Sequence, residues 1–470
     1  MTAEARKIQH LYHRAGFGPE IANFADQKKP LADHRRRLFA DSQAKPERLS
    51  VVSENDLKAA AVLKMAALGD EEDKKEMVKD IVRRGRELNL LWLDQMAGTK
   101  AVLREKMTLF WHGHFACRVL NAFFVQNQNN MLRSLALGKF GDLLIAVSKD
   151  AAMLNFLNNK QNKKNSPNEN FAREVMELFT LGRGHYTERD VKEAARAFTG
   201  WNFDQEGQYV FRRFQHDAGE KTFRGKTGNF TGEDVLQMIL NDRQTARFIT
   251  RKIYRYFVNE QVDEALVEEL SKSFYESEYD IGQLLATVFA ADWFYDPKNM
   301  GCQIKAPVAY LTGLRRQFGA TLTDKEPLLF AQKLLGQVVF YPPNVAGWPG
   351  GKSWIDSSTI VTRTLLPSVL FRDADLPMEA KDDGDVNTEF LARSNFKLMK
   401  ASANWAGFVT AFGGKPETET AAALAHFLLQ CDLSSTNARL VLQNADRTSN
   451  EALIRSLAIN IASLPEYQLC

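Results

Sequence analysis

The sequence predicts a mainly α-helical protein: one large multi-helix domain, a minor local hairpin and a small helical C-terminal part. Three observations predict it. Apolar residues recur at helical spacing, as Val191, Ala194, Ala195 and Phe198 do at i, i+3, i+4 and i+7. Helix-start chemistry precedes such runs; Thr187-Glu188-Arg189-Asp190 resembles a capping box with Asp in place of Glu. Helix breakers punctuate Gln337–Trp354, where Pro342-Pro343, Gly347, Pro349 and Gly350-Gly351 build turns.

In chain order, residues 2–14 form a first helix, stopped by Gly16 and Gly18. Residues 70–97 open on Asp70-Glu71-Glu72-Asp73, acid suited to a helix N-terminus. They continue with the i,i+4 pairs Glu71/Lys75 and Asp80/Arg84, and Leu88–Met96 buries. Further helices are expected at 102–118, 128–137, 141–157, 168–181 and 187–199. Tyr209, Phe211 and Phe214 mark the single strand-like arm, a local hairpin at most. Helices resume at 232–241, 243–257, 261–277, 280–290, 304–317 and 325–335, and again near Ser357–Leu366. Residues 371–388, acidic and poor in large apolar groups, read as a linker between a main domain (1–370) and a C-terminal helical part (389–470).

Composition bounds the function. Lys+Arg is 61 and Asp+Glu 58, so a net +3 on 470 residues offers no global signal for nucleic acid or an anionic membrane. Arg35-Arg36-Arg37 is the kind of run that makes one solvated helix face. The four cysteines form no CxxC pair, which suits free thiols in a reducing compartment. No signal peptide follows Met1, and no run of 18 apolar residues could span a membrane. The sequence given therefore reads as cytoplasmic, unless a leader has been removed.

Several motifs are long. They include His10-Leu11-Tyr12-His13-Arg14-Ala15-Gly16-Phe17-Gly18, Trp111-His112-Gly113-His114-Phe115 and Pro167-Asn168-Glu169-Asn170-Phe171-Ala172-Arg173-Glu174. Ala194-Ala195-Arg196-Ala197-Phe198-Thr199-Gly200-Trp201, His216-Asp217-Ala218-Gly219-Glu220-Lys221 and Pro342-Pro343-Asn344-Val345-Ala346-Gly347-Trp348-Pro349-Gly350-Gly351 follow. In order and nearly end to end, the chain resembles the bacterial family known as domain of unknown function 1800. The resemblance implies an uncharacterised bacterial protein, often encoded beside a second family that resembles sulfatases and alkaline phosphatases. Such a partner is therefore implied. Many relatives carry export signals, which this chain does not show. The family supplies no agreed catalytic residues.

Read as chemistry, four segments stand out. On a helix, Met107, Phe110, Trp111 and His114 share one face and His112 falls on the other, so His114 is expected buried and His112 not. His114 is then a core histidine with partnered ring nitrogens, or a ligand or general base. Asn170, Glu174, Glu177 and Leu181 share an arc beside the apolar Phe171, Val175 and Leu178. Carboxylates there need a cation, either a metal or Arg173 or Arg196. The His216-Asp217 loop, with Gly219, Lys221, Gly225 and Gly228, suits acid/base chemistry or metal binding, or is simply a glycine-shaped loop. It is not a phosphate loop: five residues, not four, separate Gly219 from Gly225. Trp348 and Trp354 flank a glycine-rich turn and either stack on sugar rings or pin the loop. HExxH, GxSxG and GxGxxG signatures are absent.

These segments suggest one cleft and a hydrolase assisted by a divalent metal, with His114, Glu174 and His216 as ligands and Glu174, His216 and Asp217 as catalytic groups. Asp217 would orient the histidine. Asn170, Glu177, Lys221, Trp348 and Trp354 would bind substrate. The rival is a non-catalytic accessory or binding protein, carbohydrate-binding among the options, whose motif residues form structural ion-pair networks. Whether the protein is an enzyme stays open at this point.

Overall fold

The computed structural model describes residues 2–53, 71–372 and 399–470. Capping side chains set many helix starts. Helix α1 (Ala3–Ala15) begins on Thr2, whose hydroxyl accepts from the Ala5 amide, and α2 is Leu31–Gln43. Between them a 3₁₀ stretch, Ile21–Lys28, carries the turn. The long α3 (Glu71–Gly98) precedes α4 (Val102–His114) and α5 (Ala122–Leu135), the last capped by Asn121. The segment expected as one helix over 141–157 is two, α6 (Phe140–Lys149) and α7 (Ala151–Phe156). Asp150 causes the break: its backbone is extended and its carboxylate accepts from the Met153 amide, so it starts a new helix.

Helix α8 (Asn170–Glu174) runs into a π-helical turn, Val175–Thr180. Helix α9 (Glu188–Ala197) carries the expected box, in which Thr187 and Asp190 satisfy each other's backbone amides. Two hairpins follow instead of one. Strand β1 (Trp201–Phe203) pairs with β2 (Tyr209–Phe211), and β3 (Lys221–Phe223) pairs with β4 (Lys226–Gly228). Then come α10 (Gly232–Leu240), α11 (Arg243–Phe257), α12 (Glu264–Glu276), α13 (Ile281–Ala290) and α14 (Pro307–Gln317). Helix α15 (Pro327–Leu334) leads to the proline- and glycine-rich loop, and α16 (Ser357–Arg372) follows it. The C-terminal helices are α17 (Trp405–Phe412), α18 (Glu417–Leu428), α19 (Ser435–Gln443) and α20 (Asn450–Ala462). The fold is mainly α, with only two-residue to three-residue strands among the described residues.

Two hydrophobic cores form. One joins α4 through α13; the other joins α3, α14–α16 and the C-terminal helices. Helix α4 stands between them: Leu103, Met107 and Trp111 enter the first core and Leu109 the second. It is therefore buried nearly all round, charged residues included. The C-terminal segment is tied in by backbone as well. Thr321 pairs with Ser402, and Gln303 and Cys470 exchange hydrogen bonds of 2.8 and 3.2 Å. Most of the acidic stretch read as a linker, 373–388, lies outside the described residues. No helix among the described residues is long and apolar enough to cross a membrane, and the four cysteines are unpaired.

Candidate functional site

A cavity of about 410 Å³ opens where α1, α4, α11, the extended segment 303–306 and the loop 346–354 meet. Phe17, Phe110, Tyr256, Trp348 and Trp354 supply aromatic surface. Lys106, Lys252, Arg255 and Lys305 are its basic residues, and Glu260 is the one acidic side chain among its described lining residues.

Each cation is placed by the fold. Lys106 lies on α4, and its ammonium sits 5.2 Å from the Phe17 ring centroid and 5.4 Å from that of Tyr256. The neighbouring Glu105 cannot neutralise it. Glu105 accepts from Arg133 Nε at 2.9 Å and Trp92 Nε1 at 2.9 Å, turned away into the protein. Burial lowers the Lys106 pKa to about 8; Cys470 opposes this and Arg14 adds to it. Lys305 is buried, donates to the Tyr467 carbonyl at 2.7 Å and is pushed down to about 7, again by burial first. Lys252, on α11, donates to His114 Nδ1 at 3.1 Å and to the Leu178 carbonyl at 3.0 Å; burial takes it to about 8. His13 completes the wall with its Nε2 buried and without a hydrogen-bond partner among the described residues, and burial lowers its pKa well below the ordinary value.

The loop carrying the tryptophans is held by backbone contact. Gly347 has φ +78°, and a Cβ there would collide with the Gly113 carbonyl on α4. Trp348 then tilts against His112 at 5.6 Å between ring centroids. Trp354 is buried in the short 3₁₀ turn Gly351–Trp354.

The sequence-predicted residues distribute unevenly around this cavity. His114, Trp348 and Trp354 line it. His114 is buried as expected, and both ring nitrogens are engaged: Nε2 donates to the Phe179 carbonyl at 3.1 Å and Nδ1 accepts from Lys252. That carbonyl and Leu178's are orphans at the end of the π turn, which the two side chains satisfy. The ring is held neutral by burial and then by Lys252. His112 corrects the expectation of exposure. It is 2% exposed against 6% for His114, and its Nε2 accepts from the Phe340 amide at 3.0 Å. The helical wheel assumed one solvated face, whereas α4 has a core on either side.

Glu174, His216, Asp217, Asn170, Glu177 and Lys221 are not among the lining residues. Glu174 is half-buried and forms no ion pair among the described residues, which corrects the expected contact with a cation. Its pKa is raised by burial and by Glu177. Arg173 is spent on Glu188 and Glu169, and it is Glu177 that takes a cation, Arg183 at 2.6 Å, together with the Tyr186 hydroxyl. Asn170 donates to the Leu157 carbonyl at 3.3 Å. Asp217 does not orient His216. It accepts from Arg196 Nε at 2.7 Å, while His216 Nδ1 lies 3.0 Å from the Thr199 carbonyl. Lys221 is buried and donates to the Asp217 and Gly219 carbonyls at 2.6 and 3.0 Å. Among the described residues, no three His, Cys, Asp or Glu side chains gather to hold a metal, so the His114/Glu174/His216 ligand set does not assemble.

The comparison with protein families adds one finding. The model of a family described as protein of unknown function, DUF1800, matches residues 10–469. The chain belongs to the DUF1800 family. No curated protein and no solved structure matches it. In this DUF1800 protein two of the resemblance motifs, Trp111–Phe115 and Pro342–Gly351, meet at the cavity through Gly113 and Gly347.

The lysines are the residues that sequence reasoning misses. A signal exists for one of them: Lys106 stands in a helical run with Leu103, Leu109 and Phe110 at i−3, i+3 and i+4, a position that should be apolar.

Proposed function

We propose that this protein binds a small organic anion in the cavity and acts as a binding or accessory protein, an acidic sugar being the class that fits best. The observation that carries the reading is the imbalance of side chains: four basic residues and one acidic one line a space of about 410 Å³. Buried ammonium groups are costly without a counter-charge, and a bound anion supplies it. Trp348 and Trp354 offer flat faces for a ring, and the volume is that of an ordinary small-molecule site.

Metal-assisted hydrolysis at Glu174, His216 and Asp217 draws less support. Asp217, Lys221 and Glu177 are committed to ion pairs and loop carbonyls.

The test is titration calorimetry with glucuronate, galacturonate and glucose 6-sulfate, each against neutral glucose. At least one acid should bind at least about tenfold more tightly than glucose, with affinity falling as salt rises. Lys106→Met should remove the preference. Equal affinity for acids and glucose, or no binding by any acid, overturns the proposal.

A further inference from the structure

We infer that Lys106 is a nucleophilic amine that condenses with the carbonyl carbon of an anion bound in the cavity, forming an imine. This rests on the anion-binding reading of the same cavity. The three lysines are not equivalent. Lys252 holds two acceptors, His114 Nδ1 and the Leu178 carbonyl, and Lys305 holds the Tyr467 carbonyl with its ammonium 3.7 Å above that ring. Lys106 has no hydrogen-bond or ion-pair partner among the described residues, although it is only 7% exposed. Its nitrogen lies between the rings of Phe17 and Tyr256, both of which line the cavity. An ammonium brings three donors that need acceptors; a neutral amine brings fewer and offers a lone pair. A desolvated lysine beside other cations is the setting in which an amine becomes a nucleophile at neutral pH.

The groups that act on this nitrogen favour the neutral form. Burial dominates, Arg14 on α1 adds repulsion, and Cys470 opposes both. His13 and Lys305 respond electrostatically to Lys106 and so belong to the same cluster, while Glu105 is committed to Arg133 and Trp92. With a pKa of about 8, roughly 10% of Lys106 is unprotonated at pH 7, against about 0.04% of a surface lysine.

The chemistry balances without a co-reactant. The amine lone pair adds to the carbonyl carbon, and the C–O π pair moves onto oxygen. The nitrogen gives up its two protons, the oxygen leaves with them as water, and a C=N bond remains. Lys252, whose ammonium already has two acceptors, and Arg255 hold the anionic group.

The experiment uses pyridoxal 5′-phosphate, an aromatic aldehyde with an anionic group, on the full chain. Borohydride reduction fixes any imine, and peptide mass mapping locates it. Lys106 should label at least about tenfold faster than the surface lysines at pH 7, with a rate that rises through about pH 8. Wild-type mapping needs no variant to fold. Pyridoxine 5′-phosphate, which lacks the carbonyl, separates the two readings. If it binds and protects the cavity while the aldehyde labels only surface lysines, the imine is wrong and the anion site stands. If neither compound reaches the cavity, both readings fall.

Discussion

Replacing Lys106 with methionine should stabilise the protein at neutral pH, which is an unusual outcome for a core substitution. An unfolded chain holds a lysine proton with a pKa of about 10.4, and the folded chain holds it at about 8. The unfolded state therefore binds more protons between these values, and stability rises with pH across that window. Below about pH 8 the full penalty applies, about 3 kcal/mol at about 1.36 kcal/mol per pH unit. Methionine keeps the stem's volume and carries no charge, so it escapes the penalty at every pH. It also forfeits the contacts with the Phe17 and Tyr256 rings, worth about 1 kcal/mol together. The net gain is about 2 kcal/mol at pH 7. With an unfolding entropy of about 2.1 cal/mol/K per residue, a chain of 470 residues unfolds with about 1 kcal/mol/K, so the melting temperature rises by about 2 °C. Paired thermal and urea melts at pH 7 and pH 10.5 measure this. The gain should largely disappear at the higher pH, where wild-type Lys106 is neutral when folded and about half neutral when unfolded. A variant less stable than wild type at pH 7, or a difference that does not change with pH, refutes the claim that this side chain is an uncompensated buried charge.

Glu105→Gln should cost about 3–5 kcal/mol, because Arg133 would keep its charge in the core without a counter-ion; urea melts read this directly. Asp150→Asn should raise the melting temperature more at pH 8 than at pH 5. Burial lifts the Asp150 pKa to about 7, so the folded state keeps a proton that the unfolded state has lost, and stability falls as pH climbs from about 4 to about 7. Gly347→Ala should lower stability by about 1–3 kcal/mol through its left-handed backbone and the collision with the Gly113 carbonyl. It should also weaken binding of an acidic sugar by displacing Trp348, a loss that calorimetry would detect.

Helical periodicity and caps carry most of the fold, and the residues that escape do so for local reasons. Thr187 and Asp190 are legible because their chemistry depends only on three-residue spacing. The second hairpin is not, since its strands are three residues long and its turn puts Arg224 at φ +50° before Gly225 at +77°. Arg224 tolerates that backbone because its amide reaches Asp190 and its guanidinium reaches Asp242 and the His185 carbonyl, partners 18 to 39 residues away. The cavity escapes for a tertiary reason. Sequence reading searches for carboxylates and histidines, and it treats a lysine as solvated. Only a helix with a core on either side turns Lys106 inward, and one helix's periodicity cannot reveal its neighbours. Trp348 and Trp354 are found because glycine-rich aromatic loops are recognisable without knowing what they face.

The cavity wall draws on both His13 and Cys470, and the segment holding Gln303 and Lys305 is hydrogen-bonded to residues 468–470. Synthesis runs from the N-terminus, so a nascent chain on the ribosome can fold much of the first core before residues 468–470 emerge. It cannot enclose a ligand until then. Three lysines that are buried together once residues 468–470 have docked remain hydrated before that, at no electrostatic cost. Occupancy of the cavity would consequently report that residues 468–470 are in place: a product truncated or stalled before them has no competent pocket, and only a chain that contains them can draw added stability from its ligand.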